Sequence, residues 1–151
     1  MNKFVLIFLC LIFFGIGWIS SSSHYGVSTG NYKSETVSHI DTKGHQDFFT
    51  MKLHTELELN RDNSYDLLIL TQNKSGSFNK GVYEYDGHVI SFYEKEHESF
   101  LSDGVTLPFW ERVVVSPGTM ARENMRAIPY GENGAFILFT DRTASLFTGM
   151  H

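Results

Sequence analysis

The sequence predicts an all-β domain, an up-and-down antiparallel barrel, that follows one N-terminal membrane helix. Three features of the 151 residues lead to this prediction: an uncharged apolar run near the N-terminus, short segments in which apolar and polar residues alternate, and turn-forming clusters between those segments. The only cysteine, Cys10, lies within the apolar run. The barrel must therefore be stable without disulfides, through packing and backbone pairing alone.

The apolar run covers residues 4–19 and is expected to anchor the chain in a membrane. As a helix it would span about 24 Å, close to the roughly 30 Å hydrocarbon core of a bilayer. Phe4 begins the run, and Trp18 and Ile19 end it at the expected membrane interface. Because Lys3 and the amino terminus are the only charges before it, the positive-inside bias predicts that the N-terminus stays in the cytoplasm.

This topology divides the chain into a cytoplasmic tail (1–3), a transmembrane anchor or signal peptide (4–23) and an extracytoplasmic barrel domain (24–151). Whether the segment is cleaved stays open at this point, because the serines at 20–23 supply the small residues that a signal peptidase requires. Of the 12 basic residues only Lys3 precedes the domain, which leaves 11 against 17 acidic ones and a formal charge of −6. That charge makes nucleic acid a poor partner.

The segment 49–59 has the clearest strand pattern, since apolar and polar residues alternate along its length. Its predicted inward face consists of Phe49, Met51, Leu53, Thr55, Leu57 and Leu59. The four residues 60–63 predict a turn, and Tyr65, Leu67 and Ile69 continue the same face on the returning strand.

The segment 81–92 is the strongest hairpin signal in the chain. The Asp-Gly pair at its centre suits a two-residue type I′ turn. This turn would pair Tyr83 with Ile90 and Gly81 with Phe92, so that the Phe92 ring covers the bare glycine.

Further strands are expected at 30–37, 111–115, 135–140 and 144–148, and a short helix at 120–128. About seven or eight short strands in one domain leave two architectures, a barrel and a two-layer sandwich. Tight hairpins between consecutive strands favour the barrel, because a sandwich normally needs longer crossing connections. Whether the barrel closes by itself or with a strand from a partner stays open at this point.

Inward-facing apolar and aromatic side chains make up the predicted ligand pocket. It consists of Met51, Leu53, Leu57, Tyr65, Leu67, Tyr83, Ile90, Phe92, Phe136 and Leu138. No spacing of histidine, cysteine or carboxylate residues matches a metal site, and no serine or cysteine lies in a nucleophile motif. The sequence therefore predicts neither an enzyme nor a cofactor.

Two histidines are candidate pH sensors. His97 lies in the acidic run 94–98, expected to be a loop, where the flanking carboxylates would favour a charged imidazole. His88 lies in the predicted turn of the central hairpin. Protonation of either side chain would change the charge of a binding surface between neutral pH and about 5.

Two hairpins and the overall plan resemble a known family. At the C-terminus, residues 136–147 contain an apolar run that ends in threonine, a polar turn and a short run that ends in Leu-Phe. Residues 81–90 contain a Gly-x-aromatic hairpin. Together with the short tail, the single span and the exported β domain, these features resemble the ToxS type of small inner-membrane protein, whose relatives include VtrC, TcpH and PsaF.

The resemblance implies a partner rather than a reaction. Proteins of this type stand beside a membrane-bound transcription regulator with a cytoplasmic winged-helix domain, bind its periplasmic domain and protect it from proteolysis. Some complete a lipocalin-like barrel that holds bile salts or fatty acids. The chain is therefore expected in the bacterial inner membrane as a single-pass accessory subunit or chaperone with a periplasmic C-terminal domain, and a bile salt, a fatty acid or acidic pH is its expected signal.

Two other functions are compatible with the sequence. The first is a free periplasmic lipocalin-like carrier of an amphipathic ligand, which requires a cleaved N-terminal segment. The second is an inhibitor of a basic enzyme such as lysozyme, which predicts salt-sensitive binding through a protruding acidic loop at 94–98.

Overall fold

Eight antiparallel strands form a closed barrel in the computed structural model, which describes residues 8–16, 27–41, 48–102, 104, 106–118, 122–131, 134–140 and 143–150. The strands are β1 (Gly30–Asp41), β2 (Phe48–Leu59), β3 (Ser64–Thr71), β4 (Gly76–Asp86), β5 (Val89–Phe100), β6 (Met125–Pro129), β7 (Phe136–Phe139) and β8 (Ala144–Gly149). Each strand pairs with the next along the chain, and β8 pairs with β1. The predicted up-and-down antiparallel barrel is confirmed, and it closes without a strand from a partner.

Two helices lie outside the barrel wall, α1 (residues 8–16) and α2 (Phe109–Val114). In the part of the chain that the structure describes, neither helix has the length and apolar content needed to cross a bilayer. Phe4, Trp18 and Ile19, the residues that bound the predicted anchor, lie outside the described residues. The membrane anchor therefore stays a prediction.

The β2–β3 hairpin forms as its alternating pattern and turn residues predict. Its loop ends at Asn63, which takes a positive φ of 63°, and the amide of Asn60 donates to the carbonyl of Ser64 at 2.9 Å. Asparagine tolerates this left-handed conformation better than most residues do. Because the loop fixes the register, Leu57 pairs with Leu67 on the inward face.

The β4–β5 hairpin has a different register from the predicted one. Its two-residue loop consists of Gly87 and His88, so Tyr83 pairs with Phe92 and not with Ile90. The physical reason is that a type I′ turn centred on Asp86 and Gly87 needs positive φ at both residues, whereas only the glycine adopts it, at 63°.

Gly81 is covered by Tyr65 of the adjacent strand β3 and not by Phe92, which corrects a second expectation. A Cβ atom at Gly81 would lie 2.8 Å from the Tyr65 ring and 2.0 Å from the carbonyl oxygen of Tyr93. A register shift between Lys80 and Gly81 produces this close approach of β5. The glycine is required because any side chain would collide with these atoms.

Three segments differ from the expected secondary structure. The apolar run at 111–115 belongs largely to α2, which starts after Pro108 and closes its first turn by a 3.1 Å bond from the Arg112 amide to the Pro108 carbonyl. The helix expected at 120–128 is wrong, since Met125–Pro129 alternates inward and outward and pairs with β7. The acidic run 94–98 lies in β5 rather than in a loop.

The barrel interior is filled at one end. We call the filled end the closed end, and the loops at 60–63, 87–88 and 130–135 lie there. The opposite end is the open end, and the connections at 72–75, 101–124 and 140–143 lie there. Aromatic rings fill the closed half: Phe136 stacks on Phe147 with ring centroids 5.1 Å apart and meets the edge of Tyr32 at 5.0 Å. The remaining core consists of Leu57, Leu59, Tyr65, Leu67, Ile69, Tyr83, Ile90, Phe92, Met125, Ala127 and Leu138.

A candidate ligand cavity at the open end of the barrel

A cavity of about 230 Å³ occupies the barrel interior near the open end. Its apolar lining comes from four strands and from α2, namely Met51, Leu53, Ile69, Leu138, Phe147, Val113 and Val114. Its polar lining is Thr36, Ser38, Thr55, Arg122, Thr140, Thr143 and Ser145. For comparison, an engineered apolar cavity of about 150 Å³ is large enough to bind benzene.

The cavity exists because small hydroxyl side chains replace the large ones in this half of the barrel. Thr55 of β2 is the ladder partner of Ser34 in β1 and of Ile69 in β3, so the three residues lie side by side across the sheet. The hydroxyls of Thr36 and Ser145 lie 3.2 Å apart and satisfy each other. Small inward residues in consecutive rows leave space that the aromatic core of the closed half does not reach.

The connection between β5 and β6 covers the cavity through Val113 and Val114 of α2. Two carboxylates fasten this connection to the barrel. The buried Glu111 accepts a hydrogen bond from the side-chain amide of Asn73 at 3.3 Å. The amide of Gly118 lies 3.2 Å from both carboxylate oxygens of Glu94, an inward-facing residue of β5, and donates to them.

Three residues of the predicted pocket line the cavity: Met51, Leu53 and Leu138. The other seven pack within the filled closed half, namely Leu57, Tyr65, Leu67, Tyr83, Ile90, Phe92 and Phe136. The structure thus divides the predicted set between a packed core and a hollow region. Strand alternation also places Thr55 and Ile69 on the inward face, but nothing local in the sequence indicates that α2 covers the opening.

A second polar region lies inside the barrel wall, where β3, β4 and β5 are adjacent. Tyr65, Gly81 and Glu94 form one row across these strands, and Asn79 and His97 are neighbours in the next row. Because Gly81 has no side chain, the Tyr65 ring lies across β4. His97 Nδ1 is 2.5 Å from Asn79 Oδ1 and 4.0 Å from Glu94 Oε2.

The two histidines singled out as pH sensors occupy different environments. His97 faces the interior with a mostly buried side chain, and its Nε2 atom has no hydrogen-bond partner among the described residues. His88 is exposed in the turn of the β4–β5 hairpin. Only His97 therefore lies near other polar interior groups, and pH sensing by either histidine stays a prediction.

The hydroxyl of Tyr65 is also buried, and within the described chain it has no hydrogen-bond partner. Burial, with a further contribution from the charge of Glu94, raises the pKa of Tyr65 to about 12 from 10.0. The unfolded chain loses this proton more readily than the folded chain does. The contribution of the protonated Tyr65 hydroxyl to the free energy of unfolding is therefore fully present below about pH 10. It is lost as the pH rises toward about 12.

The Tyr65→Phe variant is expected to lose less stability than the wild type between about pH 9 and pH 11, because it has no hydroxyl to ionise at this position. Urea unfolding at the two pH values measures the difference. Tyr130→Phe, at an exposed position, is the control and should follow the wild-type profile. Equal alkaline losses in the wild type and in Tyr65→Phe would contradict the raised pKa.

No group of three or more histidine, cysteine or carboxylate residues is placed to hold a metal ion in the ranges that the structure describes. In the comparisons with known proteins, no family model and no curated protein matches this chain.

Proposed function

We propose that this protein binds a small amphipathic molecule in the cavity at the open end of its barrel and acts as a sensor or carrier of that molecule at the outer side of a membrane. The observation that carries the proposal is the unfilled half of an otherwise well-packed barrel, covered by a separate helix. A barrel of eight strands is wide enough to hold one small ligand. The apolar run at 4–19 supplies the tether to the membrane.

The lining of the cavity indicates the chemistry of the ligand. Seven of the described lining residues are apolar, six carry hydroxyl groups, and Arg122 is the basic one. This combination suits an apolar body with an anionic or hydrogen-bonding end. At about 230 Å³ the cavity is smaller than the roughly 300–1,000 Å³ of pockets for drug-sized ligands, which favours a medium-chain fatty acid over a bile salt.

The test is a cavity-filling substitution with a matched control. Ser145→Phe places a ring in the cavity, whereas Ala144→Phe adds the same ring to the outer face of the same strand. Ligand affinity is measured by calorimetric titration of the full chain in lipid nanodiscs with octanoate and decanoate. We expect Ser145→Phe to weaken binding by about tenfold or more, equivalent to about 1.4 kcal/mol, and Ala144→Phe to bind as the wild type does.

Two results would count against this proposal. One is the absence of binding of either fatty acid by the wild type at millimolar concentration. The other is an equal affinity of Ser145→Phe and the wild type while thermal unfolding confirms that the variant is folded.

A second candidate function is that of an accessory subunit for a membrane-bound transcription regulator. One observation favours it: β6 pairs only with Val89 and Ile90, whereas β4 pairs with β5 as far as Phe100. Between Glu94 and Phe100, in the described part of the chain, one edge of β5 therefore has no neighbouring strand. An extended segment of a partner can add to such an edge through backbone hydrogen bonds.

This candidate predicts that a winged-helix regulator encoded beside the gene is degraded faster when the protein is missing. A pulse-chase measurement of the regulator's half-life with and without the protein provides the test. An unchanged half-life would argue against a chaperone role. Residues 94–98 do not form the protruding acidic loop that a lysozyme inhibitor was expected to use, since they belong to β5, from which Glu94 and His97 face the barrel interior.

A further inference from the structure

The outer face of β6, β7 and β8 is apolar. Ile128, Ile137 and Leu146 form one row across the three strands, because Ile137 is the ladder partner of both of the others. Phe139 lies in the neighbouring row, between Arg126 and Ala144. Directly paired residues have Cβ atoms about 4.5–5.5 Å apart, so these side chains form one continuous surface.

We call this surface the apolar wall, and it extends to the closed end of the barrel through Tyr130, which follows β6. Its members point away from the core: Ile128 and Leu146 are each 44% exposed and Tyr130 is 58% exposed. Scattered single apolar residues are normal on protein surfaces, whereas a contiguous set that spans three strands indicates a binding surface.

The charge distribution distinguishes the apolar wall from the rest of the barrel. Among the described residues from 125 to 150, none is acidic and Arg126 is the basic one. The outer faces of β1 and β2 are charged instead, with Lys33, Glu35, Lys52, Glu56 and Glu58. A domain with an overall charge of −6 therefore has few acidic residues on this side in its described part, where Glu123 borders the groove beside Phe139.

The apolar wall lies close to the point at which the chain arrives from its N-terminal apolar run. Strand β1 begins at Gly30, and Tyr32 pairs with Gly149 at the end of β8, next to Met150. The ten residues 20–29 join the apolar run to this strand. Fully extended, ten residues reach at most about 33–36 Å. If the run is in a bilayer, the wall cannot leave the neighbourhood of the lipid surface.

We propose that the apolar wall binds the surface of a lipid bilayer, so that the barrel lies on its β6–β8 side beside its own anchor. The proposal uses the membrane tether of the proposed function but not its ligand. Binding at the interface grows with buried apolar area and with attraction to anionic lipids. The apolar row of the wall provides the apolar area, and Arg126 provides the attraction to anionic lipids. Tyr130 has the amphipathic ring that is enriched at membrane interfaces.

A lipid surface fits the wall better than a second copy of the chain does. Two copies joined through their walls would bring together two domains that each carry a charge of −6, which electrostatic repulsion opposes. The tether also keeps the bilayer permanently within reach, which raises its effective concentration at the wall.

The proposal is tested by the depth of single labels in the membrane. In a Cys10→Ser background, Leu146→Cys places a fluorescent label on the wall, and Lys52→Cys places the same label on the charged outer face of β2. The full chain is reconstituted in nanodiscs that contain phosphatidylglycerol and a nitroxide-labelled lipid. We expect the label at Leu146→Cys to be quenched at least about twofold more than the label at Lys52→Cys.

An acidic substitution within the wall provides a second measurement. Ile128→Glu, added to the Leu146→Cys chain, should lower the quenching to the level of Lys52→Cys, because a carboxylate opposes burial at the interface. Val37→Glu, an exposed apolar position on the outer face of β1 opposite Lys52, is the matched control and should leave the quenching unchanged. The unfolding midpoint of each variant shows that it is folded. Both substituted positions face outward, so the substitutions are compatible with the fold.

Two results would overturn the proposal. Equal quenching at Leu146→Cys and Lys52→Cys would mean that the wall does not face lipid. Protection of the label at Leu146→Cys that appears only when several chains share one nanodisc would identify the wall as an interface between copies. Neither result depends on fatty-acid titration, so failure of this proposal is distinguishable from failure of the ligand-binding proposal.

Discussion

Replacement of Gly81 by alanine is expected to destabilise the barrel by about 3 kcal/mol or more. The added Cβ would lie 2.0 Å from the carbonyl oxygen of Tyr93 and 2.8 Å from the Tyr65 ring. The first of these atoms belongs to the backbone of the paired strand, so it cannot move away without breaking the β4–β5 ladder. The free energy of unfolding, taken from urea titration, measures the effect.

Gly104→Ala is the control for this variant. Gly104 has a positive φ of 74°, but apart from its chain neighbours no atom of the described residues lies within 4 Å of the position that its Cβ would take. Its substitution therefore costs only the strain of the left-handed conformation, about 1–2 kcal/mol. A Gly81→Ala protein as stable as Gly104→Ala would show that β5 does not approach Gly81 so closely.

The second large effect is expected for Phe136→Ala, which should cost about 3–5 kcal/mol. Phe136 is fully buried between two aromatic partners, stacked on Phe147 and in contact with the edge of Tyr32. Removal of its ring leaves a cavity in the closed half, where rigid neighbouring rings and strands cannot collapse to fill the space. Thermal and urea unfolding both report the loss.

Phe139→Ala provides the matched comparison, since Phe139 ends the same strand with its side chain on the outer face. We expect its replacement to change the free energy of unfolding by less than about 1 kcal/mol. Similar losses for the two variants would contradict the assignment of inward and outward faces on β7. They would also remove the basis for the apolar wall.

The β2–β3 hairpin illustrates what a sequence can determine. A period of two assigns every residue of β2 to a face, and Asn63, the last of the four turn residues 60–63, is of a type that accepts the left-handed conformation it adopts. Both signals are local, because they depend on the preferences of the residues concerned and on no distant contact. Strand, turn and inward face were therefore predictable together.

The β4–β5 hairpin illustrates the opposite case. The predicted turn and the observed one differ in their central pair, and Tyr83 changes its partner from Ile90 to Phe92. Both of these partners face the interior, because a register change of two residues leaves every side chain on the same face. The apolar pattern consequently cannot distinguish the two registers. Asp86 decides between them, because it does not adopt the positive φ that the predicted turn needs at both of its central residues.

Local periodicity and turn chemistry were enough to predict the all-β class and the inward faces of most strands, but not β6, which was expected to be helical. Contacts between distant parts of the chain account for the closure of the barrel through β8 and β1, the filling of its closed half and the position of α2 over a cavity at the other end. The position of the cavity depends on the summed volumes of side chains from five strands and a helix that are far apart in sequence. Alternation shows which way a side chain points, but it contains no information about what fills the space opposite.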